Sequence, residues 1–376
     1  MKKLTIENTL ICLTGMFPLT VFVQMYSNSL NRIVFIALVA TLVFVFFSEA
    51  LREGSTITAA SVFLVLASIV ISLYSYLITR SALINFNDAF YLPFWTLYLC
   101  YFAKRHEYVE EYIGSHGKVF AYFVTLSTIV LLLFMATNRS YAYFGRHRLA
   151  SGAFLLIVES LLLFQQTSDK KYLIPVFICS YTIFNSTSRT YLIMLLVLLT
   201  LIYYRWLNNK FYFFISIIPL LVLFVFLVAN SNMAQYFEYK QVGNFDTLGS
   251  VTSGRTVFWE ADLRLFQSGS TTEKLFGHGF NAVYYANASV IALIYAHNDF
   301  LNVILSTGMV GLSIYFSSFI YFLKTMYRYA HASITLMIVI SFLFMFNAFF
   351  NGQYNYPAAT ISMLYLYMYL KEGAHK

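Results

Sequence analysis

Residues 33–51 read IVFIALVATLVFVFFSEAL, an unbroken apolar run whose only charge, Glu49, stands near its end. A helix crossing the hydrocarbon core needs about 20 apolar residues, and this run supplies them. The apolar residues are continuous instead of alternating, which argues against a strand of a membrane barrel. Similar runs recur along the chain, and we place spans at 8–26, 33–51, 56–78, 86–103, 118–137, 149–166, 172–187, 190–206, 211–229, 298–323, 333–350 and 356–370. Twelve spans of about 20 residues would use about 240 positions. That is close to the share of the 376 residues that is hydrophobic, 60%. Only 11% are charged, against about 25% in an ordinary soluble domain. The expected fold is therefore all-α: a single polytopic transmembrane domain over 1–376 of about 12 helices. Composition excludes a soluble enzyme, a disulfide-rich secreted fold, a disordered chain and a collagen-like fibre.

Cys12, Cys100 and Cys179 sit singly inside apolar runs, so neither a disulfide framework nor a zinc site is indicated. The start, Met1-Lys2-Lys3, leads into an apolar stretch without a clean small-residue cleavage site, and we read it as a retained first span. One connection is long. Residues 230–297 carry Asp246, Arg255, Glu260, Asp262, Arg264, Glu273 and Lys274 and read as a loop with short interfacial helices.

The net charge of +8 fits the bias of Lys and Arg toward the cytoplasmic side better than it fits nucleic acid. With a cytoplasmic N-terminus and twelve spans, 14 Lys and Arg fall inside and 10 outside. The long segment then faces outward. The inner set is 10 Lys and 4 Arg; the outer set is 2 Lys and 8 Arg. Orientation does not explain guanidinium on the outside. Arginine binds phosphate through a planar fork that lysine lacks. Arg139, Arg146 and Arg148 lie among aromatics with no carboxylate near in sequence. They suit a diphosphate headgroup, although pairing with ordinary lipid headgroups is a second reading for each.

Arg189, in Asn185-Ser-Thr-Ser-Arg-Thr190, lies between two apolar runs. An ionisable group there is a site candidate, with snorkelling to the interface as the alternative. In Ser253-Gly-Arg-Thr-Val-Phe-Trp259 a cap at Ser253 puts Arg255 in the first turn of a short helix, where helix end and guanidinium form a joint anion site. Trp259 suits an interfacial anchor or the core. In Leu275-Phe-Gly-His-Gly-Phe-Asn281 two glycines bring the backbone close to something, and His278 either contacts substrate or caps a turn.

The richest stretch is Ala296-His-Asn-Asp-Phe-Leu-Asn-Val-Ile-Leu-Ser-Thr-Gly-Met-Val-Gly-Leu312. Asn298 or Asp299 can cap the helix that follows. His297 then stands at the positive end of a helix dipole, which favours a neutral imidazole able to accept a proton from a hydroxyl. Asp299 caps the helix or orients the ring. A plain capping or interfacial role for His297 stays open. Gly308 and Gly311 suit close helix packing. Neither clustered metal ligands nor a Gly-x-Ser-x-Gly motif is present.

These motifs, Ser188-Arg-Thr190, Ser253-Gly-Arg255 with Trp259, Leu275-Phe-Gly-His-Gly279 and Ala296-His-Asn-Asp-Phe-Leu301 with Gly308 and Gly311, resemble those of the O-antigen ligase and polymerase superfamily of bacterial envelope enzymes. The likeness in order and spacing runs from about 185 to 312; the N-terminal half shares only hydropathy. The resemblance implies a GT-C-like fold and inverting glycosyl transfer, without metal or other cofactor, from an undecaprenyl-diphosphate-linked oligosaccharide. It places the enzyme in the bacterial cytoplasmic membrane with its site facing the periplasm or exterior. It assigns the base to His297 and the diphosphate to Arg189 and Arg255; the reading of the residues themselves adds Arg139, Arg146 and Arg148 as further diphosphate candidates and His278, Asp299 and Tyr285 as weaker substrate contacts. Tyr141, Tyr143, Tyr284, Tyr285 and Tyr295 pack against sugars or form an interfacial belt. Partners would be the lipid-linked glycan, the bilayer, a chain-length regulator and a flippase, with no nucleic acid. A Wzy-type polymerase is favoured by the modest length and the wealth of Tyr and Phe; a ligase joining glycan to lipid A-core is the alternative. A flippase or transporter is a third reading, against which the absence of repeat symmetry speaks.

Overall fold

The computed structural model describes residues 6–24, 28–52, 55–79, 88–137, 146–186, 188–207, 215–216, 219, 255–288, 295–329, 334–352 and 356–372. All regular structure among them is helical. In chain order we number α1 (Ile6–Gly15), α2 (Phe17–Gln24), α3 (Asn28–Ala50), α4 (Ala59–Ile78), α5 (Asp88–Ser115), α6 (Gly117–Thr137), α7 (Arg146–Thr167), α8 (Leu173–Asn185) and α9 (Arg189–Trp206). These are followed by α10 (Arg255–Ser268), α11 (Thr271–Phe276), α12 (Ala282–Ala288), α13 (Asp299–Tyr329), α14 (Ile334–Phe350) and α15 (Pro357–Glu372).

Helices stand at eleven of the expected spans; residues 211–229 lie almost wholly outside the described residues. Among the described residues, five helices have the length and hydropathy to cross a membrane, within α3, α4, α6, α7 and α13. The count is six if α1 and α2, bent by 46° against each other, form one broken span. Helices α8, α14 and α15 have 13, 17 and 16 residues, at or below the lower end of the usual span length. Helix α5 runs past the expected end at 103 into a charged stretch.

Those charges close one end of the bundle. Arg105 pairs with Glu49 on α3, and Lys371 on α15 with Glu110 at 3.5 Å. Arg205 on α9 donates to the carbonyls of Tyr369 and Leu370 at the end of α15. Between the ends, α5, α7 and α15 form the core, with α13 packed on α5 and α4. Lipid gives no hydrophobic drive between helices, so shape and polar bonds hold them. Trp95 stacks on Tyr315 at 4.9 Å and donates from its indole to the Tyr315 carbonyl at 3.2 Å. Ser318 bonds Thr96 at 3.2 Å, and Thr14 bonds Tyr365 at 2.8 Å.

Helix α13 is kinked at Gly308, where φ is 69°. The kink frees the Leu305 carbonyl, which accepts the His278 N–H at 2.7 Å. The two glycines that flank His278 serve this docking. Gly277 lies against the Ser306 carbonyl and Gly279 against Thr79 of α4, both at φ 89°. The Phe280 N–H donates to Thr79 Oγ1 at 2.8 Å. Gly308 thus receives the backbone of Leu275 in the short helix α11, while the nearest neighbour of Gly311 is Thr307 of its own helix.

Gly308→Ala puts a Cβ into the Leu275 carbonyl at φ 69° and ψ −170°, a backbone region essentially confined to glycine. The backbone cost alone is about 1–3 kcal/mol. A lowered melting temperature in detergent, with loss of protection from proteolysis at 271–280, is the expected outcome.

Candidate active site

At the other end of the bundle four helices begin together. α13 starts with Asn298 as cap, its Oδ1 accepting the Leu301 N–H at 3.1 Å. Asp299 follows, fully buried, its oxygens accepting from the Tyr295 hydroxyl at 3.2 Å and the Tyr315 hydroxyl at 3.0 Å. The cap is therefore Asn298 and not Asp299. The backbone of Gly352, at φ +90°, lies so close that a Cβ would stand 2.8 Å from the Tyr295 hydroxyl and 2.9 Å from Asp299 Oδ1.

His297 precedes this cap in a left-handed conformation, φ 52°, which non-glycine residues adopt only under constraint. The constraint is visible on both sides of the residue. The Trp259 indole of α10 donates to the Ala296 carbonyl at 2.9 Å, and Asn298 is pinned as the cap. The imidazole lies between the Tyr295 ring at 5.6 Å and the His147 ring at 5.2 Å. His147 Nδ1 is 3.0 Å from Ser188 Oγ, so the start of α7 is tied to the start of α9. Sequence reading missed His147, because Arg146-His-Arg148 drew attention for its charges and Ser188 lies 41 positions away.

The arginines sit on these helix starts. Arg189 is the first residue of α9, half-buried beside Ser188. Arg255 is the first residue of α10, as expected, and donates to the Phe350 carbonyl at the end of α14. Arg148 lies in the first turn of α7, exposed. Tyr356, just before α15, lies within the field of Arg148, Asp299 and Arg255. Arg139, Tyr141, Tyr143, Ser253 and the Arg146 side chain fall outside the described residues.

Two weaker candidates go elsewhere. His278 packs on Gly269, with Nδ1 3.6 Å from Glu273, inside the α10–α11–α13 junction. Burial holds its imidazole below the usual value against the pull of Glu273. Of its two readings, the structural one is what these contacts describe. Tyr285 lines a groove of about 770 Å³ between α10 and α12 with Arg264, Gln267 and Ser268. Its neighbour Tyr284 turns the other way, 6.4 Å from Tyr295, since successive helical residues point in different directions. Tyr284 and Tyr295 line a polar cavity of about 100 Å³ that also holds Asp88, Tyr91, Arg148, Asn281 and Tyr356. Among the described residues, no three His, Cys, Asp or Glu side chains gather in a way that could hold a metal ion.

Residues 174–316 match the family model described as O-antigen ligase. The match contains Arg189, Arg255, His297 and Asp299 and bears out the superfamily resemblance read from the motifs. No curated protein sequence matches the chain.

Asp262 on α10 offers a pH test of this end. It is fully buried, both oxygens lack a hydrogen-bond partner among the described residues, and burial raises it from 3.8 to about 8. Between those values the folded state holds a proton that the unfolded state has released, so stability falls as pH rises through that window and levels off above it. Chemical denaturation at pH 5 and pH 8 is expected to show the loss, and Asp262→Asn to abolish the difference.

Proposed function

We propose that this member of the O-antigen ligase/polymerase superfamily is an inverting, metal-independent glycosyltransferase. It joins undecaprenyl-diphosphate-linked repeat units into O-antigen or capsular polysaccharide at the outer face of the cytoplasmic membrane. The observation that carries the reading is the convergence of His297 and His147 with Arg189, Arg255 and Arg148 at a bundle end where helices begin. A cation at a helix N-terminus is unfavourable by about 0.3–1 kcal/mol. An anionic ligand reverses that sign, which is why the placement speaks for a diphosphate.

In the reaction the acceptor hydroxyl oxygen attacks the anomeric carbon of the donor. The bond from that carbon to the diphosphate oxygen breaks, and its electron pair leaves with the lipid diphosphate. The hydroxyl proton passes to His297. A single displacement inverts the anomeric centre. Arg189 and Arg255 stabilise the charge that gathers on the leaving group, with Arg148 and, from the neighbouring stretch, Arg139 and Arg146 at the same headgroup. His147, fixed through Ser188, holds the His297 ring against Tyr295. We read twelve crossings with the lysine-rich end in the cytoplasm and this end outside. A chain-length regulator and a flippase would be its partners in the membrane.

A ligase reading, transfer to lipid A-core, draws support from the description of the matching family. Purified protein given only lipid-diphosphate repeat units separates the two. Polymer without nucleotide, metal or lipid A-core is the expected result; product only when lipid A-core is added would select the ligase. His297→Ala is expected to lower kcat by about 10²–10⁴-fold. Arg255→Lys should lose less than Arg255→Ala, because it keeps the charge and gives up the fork. Unchanged turnover by the His297 variant would end the proposal.

A further inference from the structure

The cavity beside His297 differs in chemistry from the arginine side. Asp88, the first residue of α5, accepts from the Asn281 amide, Oδ2 to Nδ2 at 3.2 Å. Asn281 holds that position in a left-handed conformation, φ 65°, directly before α12. The phenols of Tyr91, Tyr284, Tyr295 and Tyr356 surround this pair. Carboxylate, carboxamide and phenol side by side offer both acceptors and donors, the inventory that suits sugar hydroxyls. The rings offer flat apolar faces for the C–H surface of a pyranose. A carboxylate on the wall repels a diphosphate, so this cavity is a poor place for the leaving group. Arg148 also lines the cavity.

Tyr295 is the partition between His297 and this cavity. Its ring meets His297 on one side, while it lines the cavity and lies 6.4 Å from Tyr284 on the other. At about 10–15 Å³ for each water, a cavity of about 100 Å³ takes several waters or the hydroxyl edge of one ring, not an oligosaccharide.

We infer that this cavity is the subsite for the terminal sugar ring of the acceptor, with Asp88 and Asn281 binding its hydroxyls and Tyr284 and Tyr91 covering its face. This rests on the reading of His297 as the base. It adds that a ring held by Asp88 and Asn281 presents a neighbouring hydroxyl past Tyr295 to the imidazole.

The probe is the repeat-unit oligosaccharide released by mild acid from the lipid-linked pool of the cells that make the protein, free of lipid and phosphate. Its binding to the full-length protein in nanodiscs is followed by saturation-transfer NMR. It should bind the wild type and the His297→Ala variant alike. Asp88→Asn and Asn281→Ala should weaken binding by about tenfold or more, the loss expected for a hydrogen bond to a charged group. Inorganic pyrophosphate should not displace it. Tyr284→Leu, which keeps an apolar side chain, serves if either polar variant fails to fold and should also weaken binding. Wild-type affinity in these variants, no binding by the wild type, or displacement by pyrophosphate would overturn the inference. Binding needs no turnover, so the two proposals fail separately. Asp88-dependent binding without polymer would sink the transfer reading alone, and polymer formation with an unchanged acceptor KM in Asp88→Asn would sink the subsite alone.

Discussion

Helices α7, α9, α10 and α13 all begin at one end of the bundle, and α7, α9 and α10 begin with arginine. Each helix start already carries part of a positive charge on its unpaired N–H groups. The arrangement works against helix stability, and local conflicts of this kind concentrate at functional sites. Asp299 is a carboxylate of this end, and its two oxygens accept from the Tyr295 and Tyr315 hydroxyls in a pocket closed by Gly352.

Asp299 has a consequence for Tyr295. A buried carboxylate must be hydrogen-bonded, and the bond it takes from Tyr295 fixes that ring as a wall. On one side of the wall stand the two imidazoles; on the other stand Asp88 and Asn281. The end of the bundle thus has a side with two imidazoles and a side with an acid, which Arg148 also lines. Glycosyl transfer from a lipid diphosphate has this asymmetry in its reactants. The donor brings a polyanion, and the acceptor brings neutral hydroxyls.

Much of the architecture was legible because the bilayer demands continuous apolar runs, and those runs locate α3, α4, α6, α7 and α13 closely. The extension of α5 was not legible, since Arg105 and Glu110 look like parts of a loop until their partners Glu49 and Lys371 are known. Arg189, Arg255 and His297 could be found because each is a polar residue at the edge of an apolar run. Asp88 was hidden for the same reason inverted: it opens a run that continues Ala-Phe-Tyr-Leu-Pro-Phe-Trp95 and was counted as part of the span. Gly352 and Tyr356 lie in a short turn between two spans, and only their packing on Asp299 and the arginines marks them. His147 needed Ser188, a contact that no local pattern encodes.

The stretch 275–281 shows why motif and role can part. Its glycines and histidine look like chemistry, yet their work is to seat a backbone in the kink of α13. Gly277 and Gly308 remove the side chains that would keep the two backbones apart, and the His278 N–H closes the carbonyl that the kink exposes. Through this joint the kink fixes where α10, α11 and α12 sit relative to the start of α13. Helix α10 in turn delivers Trp259 to the Ala296 carbonyl and Arg255 to the end of α14. A left-handed His297 is tolerable only because its neighbours are held this firmly. The described part of the polar loop, 255–288, therefore acts as a clamp on the residue before α13.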